Sequence, residues 1–176
     1  MKVSGTLFIW LLVIAFFVFM AWPALQELGG QGMSVGDEFP ALELEDVTGK
    51  TLEFPADQIV VLNVWATWCA PCRAELPMLQ SVGQAWERRG VQVVLANEEV
   101  TARTRVNDYL HSRNILLRSG FLPALQARRI GGIGVVPTTF IIDREGRLAV
   151  RFNRAITQGE LERELERLLV KDANLK

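Results

Sequence analysis

The residues that carry most protein chemistry are scarce in this chain: its 176 residues include two Cys, one His and one Tyr. Two Cys allow a single internal disulfide, which excludes a small scaffold stapled by several bridges. Two Cys and one His do not fill a four-ligand structural zinc site. Neither sign of charge is in excess, with 19 Lys+Arg against 20 Asp+Glu and a formal net charge of −1. The basic footprint of a nucleic-acid binder is missing, so no nucleic-acid partner is expected. There is no internal repeat and no low-complexity tract. The length suits one domain of ordinary size with a real core, and hardly two. Whatever chemistry the chain performs falls to a few side chains.

Charge is absent altogether from one stretch. After Lys2 the next charged residue is Glu27, and Leu7–Trp22 (LFIWLLVIAFFVFMAW) has no polar side chain. About 20 helical residues, at about 1.5 Å each, cross a hydrocarbon layer of about 30 Å. Trp10 and Trp22 are placed for the two interfaces. A cleaved signal peptide would have a shorter apolar region and a small-x-small site, where this chain has Trp22 and Pro23. A buried core helix would keep one face for water, and this run has none. The expected organisation is an uncleaved signal anchor over residues 1–25, contacting the membrane through 3–25. A Gly-rich tether over 26–34 and a folded domain over 35–174 follow. Lys2 precedes the run while Glu27 and Asp37 follow it, so the N-terminus is expected in the cytoplasm and the domain outside the inner membrane.

Within that domain, Phe39–Phe54 alternates apolar and polar residues around Thr48-Gly49, a hairpin pattern. Ile59–Trp65 (IVVLNVW) reads as a buried central strand. Ala70–Arg89 is spaced for a helix with Leu76, Leu79, Val82 and Trp86 on one face, kinked at Pro77 and stopped by Gly90. Strands are expected at Val91–Ala96, Ile115–Arg118, Thr138–Asp143 and Arg147–Asn153, with a tight turn at Asp143–Gly146. Helices are expected at Val100–Ser112, Leu122–Arg129 and Thr157–Val170, the last opened by a Thr157/Glu160 capping box. Strands alternating with helices and ending in a hairpin make an α/β fold with a mixed central sheet.

Both cysteines fall in Trp68-Cys69-Ala70-Pro71-Cys72, at the junction of that central strand and the helix after it. Cys-x-x-Cys at such a junction points to thiol–disulfide exchange. The unsatisfied N–H groups and positive dipole end of the helix favour a thiolate on Cys69. Cys72, one turn in, is expected to be more buried and to resolve a mixed disulfide by attacking Cys69. A purely structural disulfide closing so short a loop restrains little unfolded chain. Half a metal site would need His111 or a partner chain, and His111 sits more than 35 residues away on a polar helix. Glu75 shares a helix face with Cys72. Its carboxyl is placed either to exchange a proton with the buried sulfur and disfavour a thiolate there, or to sit in solvent and complement the helix dipole. Few X–Pro bonds are cis, so the residues alone favour a trans strand-start proline at Pro137.

VLNVWATWCAPCRAELP, followed by VVPTTFIIDREGRL, resembles the thioredoxin fold. It is similar in particular to the TlpA/ResA/CcmG-like membrane-anchored thiol–disulfide oxidoreductases, over roughly Val35–Val170. That resemblance implies Cys69 as exposed nucleophile, Cys72 as resolving thiol and Glu75 as the acidic residue of this subfamily. It implies Pro137 as a cis-proline facing the disulfide, Val136 as a docking strand for an extended substrate and Trp68 as the aromatic flanking the first Cys. Trp68 has a second reading, as a steric shield. General thioredoxins carry an Asp where this chain has Asn63, which cannot act as a base. Cytochrome-maturation members often carry Gly-x-x-Gly-x-Pro-Glu-Thr, and this chain reads Gly131 to Thr138 as GGIGVVPT instead. The implied activity is reduction of disulfides in exported proteins, in cytochrome c or other metalloprotein maturation. Electrons would come from a transmembrane donor, with no organic cofactor and no metal. An oxidase or isomerase on the same fold is the first rival, and a thiol-based metallochaperone the second. A thiol peroxidase would carry Pro-x-x-x-Thr-x-x-Cys, which is not found. Arg118–Arg129 shows no chemical signature.

Overall fold

The structure, a computed structural model, describes residues 10–11, 13–20, 32–55 and 57–174. Two units are separated after Gly32. In the first, residues 10–11 and 13–20 are helical. No helix among the described residues is long and apolar enough to cross a membrane. The anchor expected over 1–25 and the tether over 26–34 fall mostly outside the described residues.

The second unit is a seven-stranded sheet in the order β2-β1-β5-β4-β3-β6-β7. The strands are β1 Leu44–Glu45, β2 Thr51–Leu52, β3 Ile59–Trp65, β4 Val91–Asn97, β5 Arg118–Phe121, β6 Thr138–Ile142 and β7 Leu148–Phe152. Helices α1 Ala70–Trp86, α2 Arg103–Ser112, α3 Ala124–Arg129 and α4 Gln158–Asn174 complete it. β3 pairs in parallel with β4, and β4 with β5, while β6, β7 and the β1–β2 hairpin are antiparallel. The sheet is therefore mixed, as its sequence pattern requires.

β3 is buried along its whole length because both sheet faces are covered. Ile59, Val61 and Trp65 point into one core with Leu76, Leu79 and Val82 of α1 and Leu161, Leu165 and Leu168 of α4. Val60, Leu62 and Val64 enter the other core with Val94, Phe140 and Leu148. The strand's period of two distributes its side chains between these two cores. α1 runs unbroken through Pro77 and tightens into a 3-10 turn over Glu87–Arg89, and Gly90 stops it at φ 78°. Thr157 and Glu160 form the expected capping box: the Thr157 N–H donates to Glu160 Oε2 at 2.8 Å, and the Glu160 N–H to Thr157 Oγ1 at 3.3 Å.

Two expectations shift. The helix expected from Val100 opens as a 3-10 turn and becomes α-helical only at Arg103. The strand expected at Ile115–Arg118 instead begins at Arg118 and runs to Phe121. Polar Arg118 and Ser119, followed by Gly120, hide it from a hydrophobicity pattern. Gly120 is there for space: a Cβ would lie 2.8 Å from Leu52 Cδ1, 2.9 Å from Leu44 Cβ and 3.2 Å from the Glu45 carbonyl oxygen. Only a residue without a side chain lets the β1–β2 hairpin close on β5. Gly120→Ala is expected to destabilise the domain by about 1–3 kcal/mol through overpacking. Gly134→Ala, where a Cβ meets nothing within 4 Å, is expected to change stability by less than about 0.5 kcal/mol. Urea unfolding of both variants measures the contrast.

Candidate active site

The parallel strands β3, β4 and β5 end on the same edge of the sheet, the edge where α/β folds hold their reactive groups. β3 delivers the chain there, and Ala66–Trp68 turns it into α1. Cys69 is the N-cap of α1, with extended backbone at φ −81° and ψ 106°. Its Sγ accepts the Cys72 N–H at 3.2 Å. Pro71 lies in the first turn and brings no N–H of its own, and no acidic residue stands in that turn. Cys69 and Cys72 are joined in a disulfide with S–S 2.11 Å and Cα–Cα 5.3 Å. The spacing of two residues thus places the sulfurs at bonding distance across one helical turn.

Cys72 is 0% exposed and Cys69 3%. The order of access is the expected one, yet Cys69 is far less open than an exposed nucleophile. The segment before β6 covers it: the Val136 carbonyl oxygen lies 3.6 Å from Cys69 Sγ. The Val136–Pro137 peptide bond is cis. This corrects the trans bond favoured by the residues alone and agrees with the one the resemblance implies. Thr138 Oγ1 donates to the Val135 carbonyl at 2.6 Å and pins the same loop. Pro137 is buried, Val136 half-buried, and Trp68, beside the sulfurs in sequence, is 65% exposed. A cavity of about 480 Å3 opens next to Trp68, lined among others by Glu98, Glu99, Leu122, Ala127 and Ile133. The stretch without a chemical signature, Arg118–Arg129, supplies part of its wall.

Glu75 is 5% exposed, not the solvated first-turn residue that was one of its readings. Oε1 accepts the Ile156 N–H at 2.5 Å, from the loop leading to α4. Burial raises the Glu75 pKa, opposed by the Ile156 N–H, the Asn63 amide and the positive charge of Arg154. Asn63, on β3, is fully buried, and its Nδ2 donates to Thr139 Oγ1 on β6 at 2.9 Å. His111 is exposed in the last turn of α2. Among the described residues, no three His, Cys, Asp or Glu side chains cluster in a way that would hold a metal ion.

One contact was invisible in the sequence. Glu99 accepts the Thr67 N–H at 2.5 Å and the Thr67 hydroxyl at 2.9 Å, and Arg105 holds the same carboxylate at 2.6 Å. Although burial works against it, these bonds hold the Glu99 carboxyl below its ordinary pKa, whereas burial raises that of Glu98. Asn97 Oδ1 accepts the Glu99 N–H at 2.7 Å and sets the residue in place. The loop that presents Trp68 and Cys69 is thereby clamped to the end of β4. The only local signal was a pair of acids directly after a strand.

The model of the AhpC/TSA family matches residues 35–151. The thiol-disulfide oxidoreductase ResA of Bacillus thuringiensis is 28% identical over 143 residues, covering 77% of this chain and 79% of that protein. The thiol:disulfide interchange protein HelX of Rhodobacter capsulatus is 29% identical over 175 residues, covering 96% and 97%. The crystal structure of a DsbF homologue from Corynebacterium diphtheriae superposes with a TM-score of 0.67 at 31% identity, covering 80% of this chain and 95% of that one. With this fold, this cysteine pair and these relatives, the chain belongs to the AhpC/TSA family and is a thioredoxin-like thiol–disulfide oxidoreductase.

Proposed function

We propose that the protein is a membrane-tethered reductant of disulfides in exported proteins. The observation that carries this reading is the Cys69–Cys72 disulfide at the N-cap of α1, with the buried Glu75 on the helix face of Cys72. The helix terminus favours a thiolate on Cys69, the attacking sulfur. A carboxyl near Cys72 disfavours a thiolate there. Destabilising the reduced pair in this way makes it a better electron donor.

In the reaction, the Cys69 thiolate attacks one sulfur of a substrate disulfide. That bond breaks, a mixed disulfide forms and one substrate sulfur leaves as a thiolate. The Cys72 thiol passes its proton to Glu75 and attacks Cys69 Sγ. The Cys69–Cys72 bond forms and the second substrate sulfur departs, taking up a proton. Two electrons have moved to the substrate, and the protein is left oxidised. Val136 offers backbone groups to an extended substrate strand, in the manner of β-augmentation. Trp68 gives that strand an exposed aromatic surface.

Re-reduction needs a dithiol donor reaching across the membrane, because an oxidising exported compartment lacks a reducing thiol pool. The tether rests on the uncharged run from Val3 to Gln26, which the similarity to HelX largely spans. Charges on either side of that run put the domain outside the inner membrane, in the periplasm. Maturation of cytochromes c or other metalloproteins is the pathway this reading favours.

Four measurements test it. Cys72→Ser in the native host is expected to accumulate mixed disulfides on Cys69, and their identification names the pathway; a variant that captures no exported protein overturns the reading. A reduction potential near thioredoxin's, about −270 mV, is expected, whereas one near about −120 mV replaces the reductant with an oxidase. Glu75→Gln is expected to slow disulfide reduction by about 100-fold. The folded protein holds the Glu75 proton above the ordinary carboxyl value of 4.5. Stability from this residue is therefore full below that value and lost as pH rises through the raised one. At neutral pH, Glu75→Gln should raise the urea midpoint relative to the parent, and a lowered midpoint counts against a costly buried carboxylate.

A further inference from the structure

Two of the buried oxygens that lack a hydrogen-bond partner among the described residues are Glu75 Oε2, on the helix that carries Cys72, and Asn63 Oδ1, on β3. Asn63 lies at an odd position of β3, so its side chain leaves the sheet on the face that α1 covers. It is paired in register with Thr139 of β6, and its Nδ2 already donates to Thr139 Oγ1 at 2.9 Å. The Asn63 amide also sits close enough to Glu75 to draw the carboxyl's pKa down by hydrogen bonding. While Nδ2 stays on Thr139, an ionised Glu75 Oε2 and Asn63 Oδ1 both lack a donor, which buried polar groups rarely tolerate. A single proton on Oε2 satisfies both.

The chemistry of the three side chains allows the opposite arrangement as well. A primary amide offers an acceptor on one side and donors on the other, and a Thr hydroxyl both donates and accepts. Resting on the reading of Glu75 as the proton carrier, we propose that Asn63 and Thr139 form an amide–hydroxyl switch that serves both protonation states of Glu75. In the protonated state, Oε2–H donates to Asn63 Oδ1 and Asn63 Nδ2 donates to Thr139 Oγ1. When the donor dithiol breaks the Cys69–Cys72 bond on re-reduction and the Cys72 thiolate takes that proton, the amide turns over. Nδ2 then donates to the carboxylate, and Oδ1 accepts the Thr139 hydroxyl proton. No buried atom is stranded in either state, and the proton count of Asn63 and Thr139 never changes. Asn63 is thus a positioning residue: it cannot take the proton, but it keeps a partner for the group that does.

The other groups acting on Glu75 are accounted for. Ile156 N–H binds Oε1, and Arg154, from the loop before α4, contributes positive charge. Arg154 is itself shared with Glu160 at 2.6 Å. Cys72 lies on the same helix as Glu75, and the β3 and β6 neighbours, Asn63 and Thr139, are uncharged.

The test uses the full chain and a synthetic disulfide-bonded peptide as probe. It reads the pH profile of peptide reduction together with the infrared band of the protonated Glu75 carboxyl. Asn63→Leu removes the bond to the ionised form, which is stronger than the one to the neutral form. The apparent pKa of Glu75 is therefore expected to rise by about one unit, about tenfold in proton affinity. Thr139→Val, of similar shape, is expected to shift it the same way by less, and Thr139→Ser to restore the parent profile. In a Glu75→Gln background, Asn63→Leu is expected to leave the pH profile unchanged. A parent-like profile for both Asn63→Leu and Thr139→Val overturns the switch while leaving the Glu75 reading intact. An equal shift in the Glu75→Gln background overturns it too. A Glu75→Gln profile identical to the parent's removes the proton carrier itself. Should Asn63→Leu fail to fold, the Thr139 pair carries the same decision.

Discussion

A helix that begins beside a buried strand leaves its first N–H groups without intrahelical partners, and something must accept from them. In this protein the acceptor is a sulfur. Cys69 takes the N-cap position usually held by Ser, Thr, Asp or Asn, and its Sγ accepts the Cys72 N–H. A thiolate accepts such a bond better than a neutral sulfur does, so the reduced state gains most from the cap. The same turn holds Cys72 at bonding distance. Redox chemistry and helix capping are one interaction, and the placement of β3 and α1 follows from the need to present it at the sheet edge.

Against that interaction stands the cost of burying a carboxyl. Glu75 is buried with Asn63 and Thr139 beside a core of apolar side chains, and its burial works against ionisation. The Ile156 N–H offsets part of the cost and ties α1 to the loop before α4. The two cysteines thus stand in opposed surroundings. The outer one is capped by N–H groups that welcome negative charge, and the inner one has an acid for a neighbour. Two sulfurs of ordinary chemistry thus face different surroundings, which is what the separate tasks proposed for them need.

Most of the architecture could be read in the chain because each element agrees with its own local signals. The apolar β-branched run of β3, the capping box of α4 and Gly90 after α1 each required one interpretation. β5 was displaced because its burial comes from neighbours distant in sequence: Gly120 is packed by Leu44 and Leu52, far along the chain. At the site, the spacing Cys69–Cys72 and Cys72–Glu75 is local and was legible. The cis geometry of Pro137 was legible only through resemblance, since the residues themselves favour trans. The Glu99–Thr67 clamp and the Asn63–Thr139 pair are tertiary, joining residues far apart in the chain, and no periodicity reports them.

Those two tertiary pairs are also what separates this site from a bare Cys-x-x-Cys turn. A loop between strand and helix is ordinarily the most mobile part of such a junction. Here it is held from the end of β4 by a carboxylate that has its own Arg105 partner, so Cys69 Sγ and Trp68 stay in register with the Val136 carbonyl. The buried side is held by uncharged groups, and that difference has a physical reason. A fixed charge beneath the resolving sulfur would favour one protonation state of Glu75 throughout the cycle. An amide and a hydroxyl can each reverse their hydrogen-bonding sense, so they suit the proposed role of Glu75, whose carboxyl would gain a proton and lose it again in each turnover. Rigid ionic contacts belong where geometry is constant, and reversible neutral ones belong where the proton moves.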